Sequence, residues 1–529
     1  MNFSAWSIRN PVPAILLFVV LSFLGLKSLN QLGKQNFPDI ELPVITVSAT
    51  LEGAAPPQLE TEVARKIEDK IATIGGIEHM TTKITDGSVS ISVQFTIDTN
   101  SEEALNLVRN AVDSARSELP ASVTTPTVSK LTTSGSAILT FVASADNMDE
   151  GELSWFVDNE VSKAMLAVNG VGKITRTGGV DREVQVNLDP AMMAGLGVNV
   201  SDVSMQLKRV QQDASGGRGD IGDNIQSVRT LGALHSADEV RNLDIPLGDG
   251  RHIKLSQVAE VVDTYAERST YASYDGKPVI RFEITRSKGT SEVTVAKDVR
   301  AALEKFEQMH PQVKIVEAFN MVKPVEDNYE GSMHLLYEGA LLAILVVWWF
   351  LRDWRATIIA AVALPLSMIP TFAFMQYFGF SLNVLTLLAM ALVVGILVDD
   401  AIVEIENIVR HLRMGKTPYE AAMEAADEIG FAVIATTFTL VAIFLPTAFM
   451  GGIPGKFFKQ FGITAAIAIL GSLVVARLLT PMMSAYLLKP HPVKEEQDSS
   501  SMRLYLGWVG WCLKHRKTVV AGFILFIVG

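Results

Sequence analysis

The sequence has very few of the residues that build cross-linked or metal-cluster proteins. It contains one cysteine, Cys512, and eight scattered histidines in 529 residues. A single cysteine excludes an intrachain disulfide framework and a cysteine-cluster metal site. No GxxxxGK[ST] loop is present, so ATP is not expected as a direct energy source. The lack of HExxH and GxSxG patterns argues against the alternative of a membrane enzyme.

Charged residues are also scarce, and they are unevenly distributed. They make up 19% of the chain against 49% hydrophobic residues, and the mean hydropathy is +0.28. Residues 31–333 carry a net charge of −15, whereas the remainder carries +3. No basic stripe dominates any segment, which excludes a nucleic-acid-binding surface. The pattern predicts an acidic, water-soluble block inside a hydrophobic chain, and it excludes both a purely soluble enzyme and a fully embedded bundle.

Long apolar runs predict the membrane-spanning helices, because roughly 20 apolar residues cross the hydrocarbon layer. The first run, 11–30, is predicted to be an uncleaved anchor, because no small-x-small cleavage site follows it; a signal peptide is the alternative. The later runs are 335–351, 356–378, 383–403, 431–450, 461–488 and one that starts at Val519.

Basic residues predict the orientation of these runs. Arg9 precedes the first run, Arg355 follows the second and Arg410 follows the fourth, so seven crossings put them on the cytoplasmic side and residues 31–333 on the other side. Lys456 and its neighbour Lys459 are exceptions, in an expected outer loop. The stretch 501–516, with its tryptophans and terminal bases, is predicted to be a helix that lies in the inner interface.

The soluble block repeats one pattern twice. Strand, helix, strand, strand, helix and strand signals follow one another from residue 42 to about 130, and the order βαββαβ is the ferredoxin-like plan. The pattern restarts at residue 136, with about ninety residues, 183–272, inserted into the second copy. The glycine-rich stretch 212–223 predicts an exposed loop or hairpin tip. Its GRGD tetrapeptide is interpreted as a turn, with an adhesion motif as the alternative.

The fourth run contains the most informative residues, the adjacent acids Asp399 and Asp400. About fifteen nearly unbroken apolar residues precede them, which places them roughly 20 Å into the membrane at 1.5 Å per residue. A charged residue at that depth costs at least about 2.5–3.5 kcal/mol. Neighbouring carboxylates titrate as a coupled pair, and no cation is expected near them in this chain. The pattern predicts proton or ion coupling; the alternative is a helix that ends near Asp399.

Three glutamates are further candidates for a proton path. Glu404 follows Asp400 by four residues and shares its helical face. Glu406 lies nearer the basic end, and for both residues a solvated helix end is the alternative. Glu338 is expected near the outer end of the second run.

Several motifs resemble the N-terminal half of a resistance-nodulation-division (RND) transporter of the hydrophobe/amphiphile efflux branch. The most specific is GILVDDAIVEIENI, residues 395–408, which matches the fourth-span signature of the family. Further resemblances are NFPDIELPVITVSATLEGA, FLRDWRATIIAAVALPLS, TAFMGGIPGKFFKQF and LTPMMSAYLLKP. The resemblance covers essentially the whole chain.

The resemblance implies a membrane α-helical bundle with an α+β periplasmic domain. That domain would hold two ferredoxin-like porter subdomains with an inserted docking subdomain. The implied segments are helix 1 at 1–34, porter subdomain 1 at 35–133, porter subdomain 2 at 134–182 and 273–332, the docking subdomain at 183–272, helices 2–6 at 333–490, a cytoplasmic linker and interfacial helix at 491–517, and the start of a truncated helix 7 at 518–529.

The resemblance also implies proton-driven export of amphiphilic or hydrophobic compounds such as drugs from the inner membrane of a Gram-negative bacterium. The unit would be a trimer with a periplasmic adaptor and an outer-membrane channel, and no cofactor beyond the proton gradient. Relatives often line their cleft with phenylalanines, where this chain has Ala137 or Ile138 and Thr177, with Arg176 alongside. A cleft with few aromatic side chains suits lipid-like, signalling or anionic compounds. The alternative is a non-transporting membrane subunit or a truncated product.

Overall fold

A computed structural model describes residues 3–51, 53–210, 214–221, 224–230, 234–247, 250–268, 270–490 and 500–528. The chain divides into two compact units. The soluble unit is Gly33–Asn328, and the helical unit combines Met1–Leu32 with Tyr329–Gly529.

The first part of the soluble unit is a four-stranded antiparallel sheet in the order β2-β3-β1-β4. Its strands are β1 Glu41–Thr50, β2 Ile77–Thr85, β3 Ser88–Phe95 and β4 Thr127–Thr132. The helical segments Pro56–Leu59, Glu60–Ala64 and Arg65–Ile71 follow β1, and Ser101–Ala115 follows β3. Because strand side chains alternate between faces, every second residue of β3 joins these helices in one hydrophobic core.

The second part is another antiparallel sheet with the equivalent order β16-β5-β15-β6. Its strands are β5 Ala137–Ala145, β6 Val171–Thr177, β15 Ile280–Arg286 and β16 Val313–Asn320. The helical segments Glu150–Phe156, Val157–Val161 and Ser162–Leu166 follow β5, and Glu292–Met309 follows β15. Phe141 and Phe282 stack at 5.5 Å in the core between sheet and helices.

The chain between β6 and β15 forms a third, smaller core around Met193, Val203 and Leu255. Its strands are β7 Arg182–Leu188, β8 Ala214–Ile221, β9 Asn224–Thr230, β10 Asp244–Pro246, β11 His252–Lys254, β12 Ala259–Tyr265, β13 Ser273–Tyr274 and β14 Lys277–Pro278. They form four antiparallel pairs, β7 with β12, β8 with β9, β10 with β11 and β13 with β14. Its helices are Pro190–Leu196, Val200–Arg209 and Ala237–Arg241.

The predicted tip is seen only in part, because residues 212–213 and 222–223 lie outside the described residues. The backbone of Ala214–Ile221 is strand β8 of a hairpin with β9. The interpretation of GRGD as a turn is therefore wrong, because its backbone pairs in a strand ladder instead of reversing direction.

Six helices in the described part of the chain are long and apolar enough to cross a membrane. We number them span 1, Pro11–Gln31; span 2, Lys323–Leu351; span 3, Trp354–Tyr377; span 4, Val384–Arg413; span 5, Gly430–Phe449; and span 6, Gly452–Leu487. The other helices are Phe3–Arg9, Pro418–Glu428, which we call the connecting helix, Ser500–Lys514 and Arg516–Val528. The run from Val519 thus falls in the last helix.

Two helices begin earlier than hydropathy predicts. Span 2 starts at Lys323, so Glu338 lies in mid-helix and not near its outer end. Span 6 starts at Gly452, so Lys456 and Lys459 belong to a helix and not to a loop. In both cases a hydropathy window marks only the apolar segment, whereas backbone hydrogen bonds carry the helix through the polar residues before it.

The helical unit packs closely around spans 3, 4 and 6. Gly25 of span 1 meets span 3 so closely that a Cβ atom there would lie 2.2 Å from the carbonyl oxygen of Ile369. Such small residues let membrane helices approach backbone to backbone. The connecting helix buries Ala421, Ala422 and Ala425 against its neighbours.

Candidate functional site

Span 4 is one continuous helix of 30 residues, which positions both aspartates inside it. Asn383 caps its start by accepting hydrogen bonds from the backbone N–H groups of Leu385 and Thr386. The helix then continues for 13 residues beyond Asp400, to Arg413. The alternative of a helix that ends near Asp399 therefore does not hold.

Asp400 points into the helical unit, toward span 6. Asp400 is 8% exposed. The Ser472 hydroxyl lies 2.9 Å from Oδ2 of Asp400 and 3.1 Å from the carbonyl oxygen of Leu397. A hydroxyl has one proton to donate, so Ser472 can bond either oxygen. Nothing in the sequence singled out Ser472, because a serine inside an apolar run is common.

Asp399 lies on a different side of the same helix. Adjacent helical residues are turned by about 100°, and Asp399 is exposed in this chain. It belongs to an exposed stripe that also contains Leu392, Gly395, Val403 and Glu406. The two aspartates thus face different surroundings, one against span 6 and one on the outer surface of the helical unit.

Glu404 is fully buried and faces span 6, one turn after Asp400. Its Oε2 lies 3.4 Å from Nη1 of Arg477. Arg477 lies in a π-helical segment of span 6, Val475–Leu479, and the same Nη1 donates a 2.8 Å hydrogen bond to the carbonyl oxygen of Ala426. A solvated helix end, the alternative for Glu404, is excluded by this burial.

Arg477 places a cation beside Glu404, a partner that no sequence pattern had singled out. The signal that could have indicated it is the one arginine inside the apolar run 461–488. The arginine pairs with Glu404, and among the described residues no hydrogen bond or ion pair joins it to Asp399 or Asp400.

The end of span 4 is tied to the connecting helix. Arg410 donates to both carboxylate oxygens of Glu428, at 2.7 and 2.6 Å, and Nε2 of His411 lies 2.8 Å from Oε2. The hydrogen bond from Arg410, followed by that from His411, lowers the pKa of Glu428 from its usual 4.5 to about 2. Asn407 donates a further bond to the carbonyl oxygen of Ala425.

Glu406 does not join this buried group. Its side chain is exposed and lines a groove of about 650 Å³ beside Phe350, Val403 and Arg410. Glu338 is likewise exposed, in the middle of span 2. The structure therefore brings Asp400 and Glu404 together on one buried face and leaves Asp399, Glu406 and Glu338 on exposed faces.

The residues expected near a substrate cleft lie in the second sheet. Ile138 is 5% exposed and packs in the core, so it offers little surface to a ligand. Arg176 bonds to Asp158 at 2.8 Å and to the carbonyl oxygen of Gly178 at 2.6 Å, and it also pairs with Asp181. Thr177 is half-buried at the end of β6. Among the described residues no group of three His, Cys, Asp or Glu could hold a metal ion.

The fold and this site define a multi-pass membrane protein with a large α+β unit and a polar contact between two of its spans. The chain belongs to the AcrB/AcrD/AcrF family, whose model matches residues 3–529.

Three curated relatives support this membership. The chain is similar to "Multidrug resistance protein MdtC" of Pantoea ananatis (strain AJ13355), with 34% identity over 96% of this chain and 50% of the relative. It is equally similar to the proteins of that name from Escherichia coli O139:H28 (strain E24377A / ETEC) and Shigella flexneri, with 34% identity over 98% of this chain and 52% of each relative. The chain spans about half the length of the curated relatives it matches.

Proposed function

We propose that this chain is the N-terminal half of a proton-driven exporter of the RND type, located in the inner membrane of a Gram-negative bacterium. The observation that carries the proposal is the buried Asp400 of span 4, which bonds Ser472 of span 6 and adjoins Asp399. An acid inside an apolar membrane helix is costly to insert, so such acids are rare and usually mark a functional site. The similarity to proteins named for multidrug resistance supports amphiphilic or hydrophobic compounds as substrates.

The energetics agree with a proton-coupled mechanism. One proton that moves through 100 mV releases about 2.3 kcal/mol, and each tenfold gradient of a neutral substrate costs about 1.4 kcal/mol. One proton for each substrate molecule therefore supports export against a modest concentration gradient. Asp399 and Asp400 would take up and release this proton in turn, because two adjacent carboxylates do not both remain ionised at low cost in an apolar surrounding.

The exposed position of Asp399 supports a proposal for where further spans of such an exporter would pack. A carboxylate on the lipid-facing surface of a span is unfavourable, whereas one that faces further protein can be paired. We therefore propose that the stripe from Leu392 to Glu406 packs against a second set of spans. The approximately twofold greater length of the relatives supports this arrangement.

For the soluble unit we propose two ferredoxin-like porter subdomains with a docking subdomain inserted in the second. The equivalent strand orders of the two sheets and the separate core around Leu255 support this division. The porter subdomains would carry the substrate cleft, with Ile138, Arg176 and Thr177 at its edge. The burial of Ile138 and the ion pairs of Arg176 limit how much these two side chains contribute.

The proposed assembly is a homotrimer in the bilayer, joined to a periplasmic adaptor and an outer-membrane channel. The hairpin of β8 and β9 would reach a neighbouring subunit. Replacement of residues 214–230 by two glycines tests this role, because it removes both strands and leaves the core around Leu255. Native mass spectrometry is expected to show loss of the trimer, and an unchanged trimer with full export would count against the docking role.

The test of export uses Asp399→Asn and Asp400→Asn in the transporter as encoded at its native locus, in cells that lack other exporters. Ethidium, novobiocin and deoxycholate serve as probes, and the wild type is expected to lower the accumulation of at least one. Each variant is expected to lose nearly all of that export at normal abundance in the membrane. Full export by both variants would contradict proton coupling through these acids, and no export by the wild type would favour a non-transporting subunit.

A further inference from the structure

Arg477 lies at a junction of four elements. It pairs with Glu404 of span 4 and bonds the carbonyl oxygen of Ala426 in the last turn of the connecting helix. Gly430 begins span 5 beside the guanidinium, and a Cβ atom there would lie only 2.5 Å from Nη2. Because Gly430 has no side chain, it leaves room for the arginine side chain, which is 12% exposed. The guanidinium also faces a helix C-terminus, where cations are favoured.

The carboxylate of Glu404 is incompletely satisfied. Among the described residues its one polar contact is the 3.4 Å approach of Arg477 to Oε2, and none of them bonds the buried Oε1. Glu428, by contrast, accepts bonds from Arg410, His411 and Asn407. A buried ion pair stabilises a fold only when its geometry is good and its remaining lone pairs are bonded. The pair of Glu404 with Arg477 does not meet that condition, so stability alone does not account for it.

Charged groups lie on both sides of Glu404 along span 4. Asp400 lies four residues before it on the same face, about 6 Å along the helix axis. Span 6 contributes Arg477. The connecting helix contributes Glu428, which pairs with Arg410 further along span 4. Span 3 has no charged residue after Arg355, near its start. Glu404 is therefore an acid between Asp400 and the basic end of span 4, with one cation at its side.

We infer that Glu404 is a third protonatable acid of span 4 and that Arg477 is the residue that positions its carboxylate. The inference rests on the proposed proton-driven export. A proton that leaves the carboxyl group of Asp400 passes through water to the carboxylate of Glu404, and Glu404 then returns it to water at the basic end of the span. Only O–H bonds form and break. Neutral Glu404 holds Arg477 less strongly, while the bond from Arg477 to Ala426 keeps the arginine in place.

The direct test follows the carboxyl infrared band of purified transporter as pH changes. A band from protonated glutamic acid is expected in the wild type and in Glu420→Gln, the control at the far end of the connecting helix, and is expected to disappear in Glu404→Gln. Arg477→Met removes the cation beside this carboxyl group and is expected to shift the frequency of the band. The absence of a band specific to Glu404, or a band that Arg477→Met leaves unchanged, would overturn the inference.

Export provides the second readout, with the probes named above. Glu404→Gln is expected to lower export about tenfold or more, and Arg477→Lys to retain more export than Arg477→Met. The double variant Glu404→Leu, Arg477→Leu keeps the junction apolar and folded. If this double variant exports the probes with the wild-type pH profile, the pair is purely structural and the inference is overturned.

The aspartate variants separate this inference from the proposed function. Loss of export in Asp400→Asn together with full export in Glu404→Gln would reject only the role of Glu404. Full export in Asp399→Asn and Asp400→Asn would reject the proposed function itself.

Discussion

The Ser472 hydroxyl of span 6 lies 2.9 Å from the Asp400 carboxylate of span 4, and both residues are buried. A single hydrogen bond therefore connects the acid to the neighbouring helix. Protonation of Asp400 makes its carboxyl group a weaker acceptor, and the carbonyl oxygen of Leu397 is the other acceptor within reach of the Ser472 hydroxyl.

Ser472→Ala is expected to destabilise the protein by about 1–3 kcal/mol when Asp400 is ionised, because a buried carboxylate oxygen loses its donor. Thermal unfolding of the detergent-purified protein measures the effect. Ser484→Ala is the matched control, since Ser484 is also buried in span 6 and none of the described residues bonds its hydroxyl. Equal losses in the two variants would mean that the bond to Asp400 contributes nothing.

Gly25→Ala is expected to cost about 1–3 kcal/mol through overpacking, since the new methyl group would meet the backbone of Ile369 in span 3 and backbone cannot rotate away. The same thermal measurement applies. Gly331→Ala in span 2 is the control, because no atom of the described residues outside its own helix lies within 4 Å of the added Cβ. A Gly25→Ala variant as stable as Gly331→Ala would contradict the close approach of spans 1 and 3.

Arg286→Met is expected to destabilise the soluble unit by about 3–5 kcal/mol. The guanidinium is almost fully buried and bonds Asp39 at 2.6 Å and Glu292 at 3.2 Å, so its removal leaves two acids without their cation. Arg300→Met breaks a half-exposed pair with Glu317 and is expected to cost about 0–1 kcal/mol. Resistance to proteolysis in urea measures both variants. The reverse order of these two losses would disprove the burial argument.

The bond of Glu428 to Arg410 and His411 is expected to persist in mild acid. The pKa of Glu428 is lowered to about 2, so the stabilising contribution of its carboxylate is complete above the ordinary value of 4.5 and is lost only as pH falls through about 2. Hydrogen–deuterium exchange, corrected for the chemical rate, should show equal protection of the last turn of the connecting helix at pH 7 and pH 5.

Glu428→Gln should reduce the protection of that last turn at both pH values. Glu420→Gln is the control, because Glu420 forms a capping box with Thr417 at the opposite end of the same helix and should affect only the first turn. Loss of protection in the last turn of the wild type between pH 7 and pH 5 would contradict the low pKa of Glu428.

Local sequence patterns determined much of this molecule. Six of the seven predicted apolar runs correspond to spans in the described part of the chain, because crossing the hydrocarbon requires such runs whatever the helices pack against. Alternating and helical periodicities predicted the two βαββαβ series, since those periods record which side of a strand or helix is buried. The signature around Asp399 and Asp400 predicted the family, which the match over residues 3–529 confirms.

The tertiary structure alone decided which acids share surroundings. Asp399 and Asp400 are neighbours in sequence but face different sides of span 4, whereas Glu404 meets Arg477, 73 residues away. The same is true of Ser472 with Asp400. Hydropathy sums each residue with its neighbours along the chain, so it cannot report which face of a helix points at which partner. That depends on how spans 4 and 6 rotate and pack, and packing is what turned an arginine in an apolar run into the counter-charge of a buried glutamate.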